Sequence, residues 1–162
     1  MKFIKDMAGI CSAGSTELAN ASDPMYEIVI FTAAAQDYAD FILNYIDKDH
    51  KYISHRLYRQ HCRYDDGVYV KDLSLLGRDL KKTIIVDNIK DNFERQSKNG
   101  IEILTWLSDP ADRELHKLGL FLTELRKQQV VDVRDHVKAY TDEKWRCGSP
   151  SKRAFLKHAV SS

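Results

Sequence analysis

Two polar residues follow apolar runs that predict buried strands, and they are the first candidates for chemistry in this sequence. Thr32 comes directly after residues 28–31, and Asp87 comes directly after residues 83–86. In open α/β sheets, ligands bind beyond the carboxyl ends of the strands, where such side chains come together. Each residue also has a simpler interpretation, because Thr favours turns and Asp favours Asx turns and helix caps. Position alone therefore indicates a candidate ligand site and leaves its chemistry open.

The elements that would position these residues follow an α/β pattern. Continuous β-branched runs are typical of strands buried on both faces, whereas alternating runs indicate half-buried strands. The predicted strands are residues 27–31, 52–58, 62–70, 83–86 and 101–104. Apolar residues at helical spacing predict helices over residues 36–47, 112–126 and 131–145. Asp66-Gly67 predicts a tight turn within residues 62–70. Strands that alternate with helices imply parallel pairing.

Composition sets the limits of the predicted domain. At 162 residues the chain suits one domain. We predict a mobile lead-in over residues 1–25, because most of this stretch is rich in Ala, Gly, Ser and Asn and lacks periodicity. The folded domain is predicted over residues 26–140. Residues 141–162 carry five basic and two acidic side chains, which indicates a loosely attached basic tail.

Charge and cysteine content narrow the class of protein. The 25 basic and 24 acidic side chains nearly cancel, so no net field favours nucleic acid as a direct partner. The three cysteines are far apart, which favours a reducing, intracellular compartment over a disulfide framework or a zinc site. No apolar run reaches the roughly 20 residues that span a bilayer. The sequence leaves the oligomeric state open.

Three stretches of this chain resemble a known family of phosphatases. They are residues 26–34, residues 69–80 around Lys71, and residues 83–88 with the pair Asp87-Asn88. The resemblance covers about residues 26–125 and is to the haloacid dehalogenase superfamily, in its branch of RNA polymerase II C-terminal-domain small phosphatases. It implies a Rossmann-like parallel sheet. It also implies a phosphoprotein or phosphopeptide partner in the nucleus or cytoplasm.

The resemblance also implies roles for particular side chains. Thr32 would donate its hydroxyl to a phosphoryl oxygen, and the cation of Lys71 would stabilise charge on the phosphate. Asp87 would ligate Mg²⁺, and Asn88 would support that metal shell. Arg59 is a candidate substrate contact. Without the resemblance, Lys71 and Arg59 would be interpreted as solvated charges at strand edges.

The first motif of the family is missing from this sequence. The family mechanism needs one Asp to attack phosphorus and a second, two residues later, to protonate the leaving oxygen. Residues 1–25 contain only Asp6 and Asp23, and neither belongs to an Asp-x-Asp. We therefore expect an N-terminally incomplete sheet with an exposed edge beside residues 28–31, unless a partner or the lead-in covers it. We also expect weakened Mg²⁺ binding and a chain that is inactive as written.

Two other motifs could substitute for the missing one, and we reject both. Asp47-Lys48-Asp49 is an Asp-x-Asp, but it ends a predicted helix and does not follow a strand. His61-Cys62 suggests a cysteine phosphatase, but that chemistry needs Arg six residues beyond the Cys, where this chain has Val68.

Three interpretations of the whole chain stay open. The first is a Mg²⁺-dependent Ser/Thr phosphoprotein phosphatase domain of the aspartyl-phosphate type that lacks its nucleophile. The second is a non-catalytic phosphoprotein-binding or scaffold module, which includes the family's mitochondrial import-receptor branch. The third is an unrelated α/β domain with an accidental match. Cooperative unfolding and solubility would favour a module that works in this form over a fragment.

Overall fold

A five-stranded parallel sheet forms the centre of the computed structural model of this chain. The structure describes residues 2–5, 26–105 and 111–146, with side chains given for 26–105 and 111–142. The strands of this sheet are β1 (Lys2–Lys5), β2 (Glu27–Phe31), β3 (Ile53–Leu57), β6 (Thr83–Asp87) and β7 (Gly100–Glu102). Their order across the sheet is β3-β2-β1-β6-β7. The α/β class and the parallel pairing expected from the sequence are confirmed.

The position of β1 bears on one expectation. Lys2 pairs with Glu27 on one side and Thr83 on the other, and Lys5 pairs with Ile30 and Val86. The edge beside residues 28–31 is therefore not exposed, and the strand that covers it comes from the predicted lead-in, the alternative left open by the sequence. The four residues of β1 are too few to give a periodic signal in the sequence. The rest of the predicted lead-in, residues 6–25, lies outside the described residues, as does the tail from residue 147.

A short antiparallel hairpin stands apart from the sheet. It consists of β4 (Arg63–Asp65) and β5 (Val68–Val70), which pair from Arg63 with Val70 to Asp65 with Val68. Asp66 and Gly67 form the predicted turn, with φ angles of 44° and 88°. Positive φ at both central residues is the geometry that suits the twist of a two-residue hairpin, and Gly accepts it at no steric cost.

Three helices flank the sheet near the positions expected from the sequence. They are α1 (Gln36–Ile46), α2 (Glu114–Lys127) and α3 (Arg134–Arg146). Helices α2 and α3 each begin two residues after an aspartate, because the carboxylates of Asp112 and Asp132 accept the backbone N–H of Glu114 and Arg134. The apolar residues that predicted α2 are its buried face: Leu115, Leu118, Leu122 and Leu125.

The two faces of the sheet have separate cores. Ile84 and Val86 of β6 point toward the cluster that contains α2, whereas Ile85 packs with Phe31, Leu73 and Phe93. This alternation explains why β6 reads as a continuous apolar run.

Gly100 lets the chain between β6 and β7 lie close against the sheet. A Cβ at Gly100 would lie 2.0 Å from a ring carbon of Phe93, so a side chain there would displace the ring. The segment Lys90–Asn99, which contains Phe93, is thereby held near the end of β6.

Candidate functional site

The side chains predicted to carry chemistry lie at the carboxyl edge of the parallel sheet. Thr32 follows β2, Asp87 is the last residue of β6, and both are buried. Lys71 follows β5 and is also fully buried. The sheet order places the end of β1 between the ends of β2 and β6. The parallel strand order therefore places the ends of β2 and β6 at the same edge of the sheet, with one strand between them.

Lys71 and Asp87 form an ion pair inside the protein. The Nζ of Lys71 donates to Oδ2 of Asp87 over 2.5 Å, and neither side chain is exposed. Removing two charges from water costs several kcal/mol per ion, about as much as their attraction returns. A pair of apolar side chains would fill the same space at less cost. The pair is therefore weak evidence for stability and better evidence for a built electrostatic site.

Asn92 joins both members of this pair and was not found by sequence reasoning. Its side-chain Nδ2 donates to Oδ1 and Oδ2 of Asp87, each over 3.3 Å. Its backbone carbonyl oxygen accepts the backbone N–H of Lys71 over 2.6 Å. Asp87 also accepts the backbone N–H of Ile89. Asn92 lies in a polar stretch without periodicity, so no pattern in the sequence marks it.

A second network holds the chain just beyond Lys71. The carboxylate of Asp72 accepts from the backbone and hydroxyl of Ser74 and from the side chain of Gln96. The Ser74 hydroxyl is the largest cause that lowers the pKa of Asp72, against an opposing effect of burial. Arg95 pairs with Asp65 in the hairpin. These contacts connect Lys71 to the hairpin and to the Lys90–Asn99 segment.

Thr32 presents a hydroxyl that can still donate. Its Oγ1 accepts the backbone N–H of Ala34 over 3.1 Å, and its own N–H donates to the carbonyl of Leu57. No described residue accepts the hydroxyl proton. The backbone contact fixes the position of the oxygen, and the free proton suits a phosphoryl oxygen. Within the described residues, no hydrogen bond joins Thr32 to Lys71 or Asp87.

Arg59 contacts the loop that follows Thr32. Its Nε donates to the carbonyl of Ala33 over 2.7 Å, and its guanidinium lies 5.1 Å from the ring centroid of Tyr69. The side chain is exposed, and its two Nη groups make no hydrogen bond to a described residue. Arg59 is thus held in one orientation with its anion-binding end open.

Asn88 and Asp87 offer two oxygen ligands to a hard cation. The Nδ2 of Asn88 donates to Thr105, while Oδ1 is shielded from solvent and has no hydrogen-bond partner in the described part of the chain. Such an oxygen is costly unless something binds it. The described residues contain no group of three or more His, Cys, Asp or Glu side chains placed for a metal. Mg²⁺, which keeps several waters and takes few protein ligands, fits this donor set.

The comparisons with known proteins identify the family of this chain. Residues 13–134 match the family described as NLI interacting factor-like phosphatase. The chain belongs to this family. A CTD small phosphatase-like protein 2 of Dictyostelium discoideum is 48% identical over 114 residues, 70% of this chain and 20% of that protein. The family membership confirms the resemblance to haloacid dehalogenase-type C-terminal-domain phosphatases.

A relative whose name refers to mitochondrial import matches almost as well. The mitochondrial import inner membrane translocase subunit TIM50 of Candida albicans is 44% identical over 118 residues, 73% of this chain and 25% of that protein. The chain thus spans a fifth to a quarter of the length of these two relatives. The solved structure of Fcp1, an essential RNA polymerase II CTD phosphatase, shares the fold, with a TM-score of 0.51 and 21% identity over 73% of this chain and 34% of that one.

Among the helices in the described ranges, none has the length and apolar character needed to cross a membrane.

Proposed function

We propose that this family member binds the phosphoserine or phosphothreonine of a phosphoprotein at the carboxyl edge of its sheet, and that as written it hardly turns the phosphoester over. The buried Lys71–Asp87 pair is the observation that carries the proposal, because it costs stability and is aimed at the edge where ligands bind. The donating hydroxyl of Thr32 and the open end of Arg59 support it. Together they supply donors and positive charge for a phosphoryl group.

Each side chain has a defined part in this proposal. Thr32 donates to a phosphoryl oxygen, Lys71 neutralises its charge, and Arg59 contacts the substrate. Asp87 and Asn88 are the residues that would hold Mg²⁺, which supplies further charge neutralisation when bound. Asn92 holds the carboxylate of Asp87 in place and would position it as a ligand for that cation.

The sequence after β1 explains the proposed loss of catalysis. Asp6 is the next residue after Lys5, and Ala8 stands two residues later; both lie outside the described residues. An Asp-x-Asp motif continued from β1 would therefore keep its first carboxylate and lack its second. Attack on phosphorus by the first carboxylate breaks the bond to the seryl oxygen only if that oxygen gains a proton. General acids typically contribute about 10²–10⁴-fold, so phosphoserine turnover should be severely reduced.

The choice of leaving group tests this proposal. We expect no Mg²⁺-dependent release of phosphate from a phosphoserine peptide, but slow release from an aryl phosphate, whose leaving group needs little protonation. Asp6→Asn should abolish the aryl activity. Ala8→Asp, with Ile10→Thr to complete the family motif, should restore phosphoserine turnover. Robust phosphoserine hydrolysis by the unmodified chain would overturn the proposal.

Binding is tested separately from turnover. Isothermal titration with a phosphoserine peptide should show affinity that the unphosphorylated peptide lacks, and Thr32→Val should weaken it. Thr123→Val is the matched control, because the Thr123 hydroxyl donates to Gly119 within α2, away from the site. Equal affinity for both peptides would refute phosphate recognition.

The identity to the translocase subunit favours a second candidate, a non-catalytic protein-binding module with an import-receptor-like role. It predicts that the motif-restored variant stays inactive and that the tagged protein is found in mitochondria. The phosphatase-like proposal predicts the nucleus or cytoplasm. Imaging the tagged protein in its source cells distinguishes the two.

A further inference from the structure

The outer face of α1 exposes three large aromatic side chains. Tyr38, Phe41 and Tyr45 are 63%, 79% and 89% exposed, and we call them the aromatic stripe. Spacings of three and four residues place them on one side of the helix. The solvent side of a surface helix is normally polar. Adjacent exposed apolar groups of this size mark an interaction surface, in contrast to single exposed residues, which are common.

The aromatic stripe is not the inward face of α1, because the opposite face is already fixed. Ala39 and Leu43 are fully buried there. The hydroxyl of Tyr58 donates to Asp40 over 2.7 Å, and Arg56 donates to the same oxygen over 3.0 Å. These contacts anchor α1 to the sheet in one rotation.

Opposite charges lie at the two ends of the aromatic stripe. Asp37 is in the first turn of α1, and Lys48 lies two residues beyond its end. Both are exposed, and neither forms an ion pair with a described residue. A surface with an acid at one end and a base at the other is complementary to itself when one copy is reversed.

We propose that the aromatic stripe is the contact surface for a second copy of this chain, with the two α1 helices packed antiparallel. A two-fold axis midway between Asp37 and Lys48, about one residue beyond Phe41, places Asp37 of each copy next to Lys48 of the other, as an isologous interface requires. A parallel arrangement would bring like charges together. The charge pattern thus selects both the occupant and its direction.

The size of the surface sets the strength of this dimer. An aromatic side chain buries about 150–250 Å², so the three exposed rings offer roughly 450 Å² per copy. A stable interface of standard size buries about 800 Å² per partner. The contact is therefore a weak, reversible one that depends on protein concentration.

Sedimentation equilibrium of the full chain tests the proposal. We expect the average mass to rise from 18.7 kDa toward twice that value as concentration increases. Phe41→Glu should weaken association by at least about tenfold, since it puts a charge at the centre of the contact. Leu120→Glu is the matched control, because Leu120 is 61% exposed on α2 and should leave the dimer unchanged. Far-UV circular dichroism checks that each variant is folded.

A charge exchange tests the direction of packing. Asp37→Lys alone should weaken the dimer several-fold, and the double variant Asp37→Lys, Lys48→Asp should restore it. Three results would overturn the proposal: a mass of 18.7 kDa at every concentration, a dimer that survives Phe41→Glu, or a double variant no better than the single one.

Discussion

Two buried aspartates each stand at the end of a regular element, yet their surroundings differ completely. Asp47 ends α1 and Asp87 ends β6, and they are 3% and 1% exposed. The carboxylate of Asp47 accepts backbone N–H groups of Lys51, Tyr52 and Ile53. The carboxylate of Asp87 accepts from a buried ammonium, a side-chain amide and one backbone N–H.

The difference lies in what each aspartate does for its neighbours. Asp47 satisfies donors that a turn would otherwise leave unpaired, so its charge supports the fold. Asp87 is paired with the buried ammonium of Lys71. Burying these two charges lowers the stability of the fold and creates an electric field at the end of β6. The nature of the donors therefore separates a structural carboxylate from the carboxylate of the proposed site better than burial does.

The largest effect should come from removing the cation beside Asp87. Lys71→Met leaves a buried carboxylate without this countercharge, and we expect the free energy of unfolding to fall by about 3–5 kcal/mol. Urea denaturation measures the change. Lys117→Met is the control, because Lys117 is exposed and its pair with Glu114 should contribute about 1 kcal/mol or less. Similar losses of unfolding free energy in both variants would mean that the buried Lys71–Asp87 pair behaves like an exposed one.

The next largest effect should come from the structural aspartate. Asp47→Ala leaves the N–H groups of the 51–53 turn without their acceptor, which should cost about 2–3 kcal/mol of unfolding free energy. Phosphopeptide affinity should not change. Asp49→Ala, two residues away and exposed, should cost about 0.5 kcal/mol or less. A loss of peptide affinity in Asp47→Ala would place this residue in the site after all.

A smaller effect distinguishes two buried asparagines of one segment. Asn92→Ala should cost about 1–2 kcal/mol and lower phosphopeptide affinity about tenfold, because Asp87 loses its orienting donor. Asn99 donates to the backbone carbonyls of Leu80 and Thr83 and makes no hydrogen bond to Asp87. Asn99→Ala should therefore reduce stability and leave affinity intact. Parallel losses of affinity in both would mean that Asn92 acts only through the fold.

The smallest effect is a dependence on pH. Burial raises the pKa of Asp47, but the backbone hydrogen bonds from Ile53, Lys51 and Tyr52 outweigh it and hold the pKa below its ordinary value. A lowered folded-state pKa stabilises the protein above the unfolded pKa of about 3.9, and this contribution is lost as pH falls through the folded value. Unfolding free energies of the unmodified chain and Asp47→Asn should therefore converge below about pH 4. If the difference between the two unfolding free energies did not change with pH, the negative charge of Asp47 would not contribute to stability.

Much of the fold could be predicted from the sequence, because its signals are local. The apolar run before Asp87, the leucine spacing of α2 and the Asp66-Gly67 turn each follow from a period or a backbone preference. Strand β1 could not be predicted in this way. Its four residues owe their place to pairing with two distant strands, a contribution that no local pattern contains.

The site was predictable where a residue ends a regular element. Thr32 and Asp87 do so, and family resemblance added Lys71. Asn92 was missed because its role depends on how the irregular Lys90–Asn99 segment folds back against the sheet. That packing requires the absence of a side chain at Gly100, where a Cβ would collide with the ring of Phe93. Such residues are defined by tertiary geometry.

The central place of β1 makes one short strand the link between the two halves of the sheet. The pairs β3-β2 and β6-β7 are joined in the sheet through the four residues Lys2–Lys5 alone. A polypeptide that starts at residue 26 would present a slot one strand wide, with hydrogen-bonding edges on both sides. A short peptide added in trans would fill that slot and bring Thr32 and Asp87 into register, so the fold could serve as a split reporter assembled by a single strand.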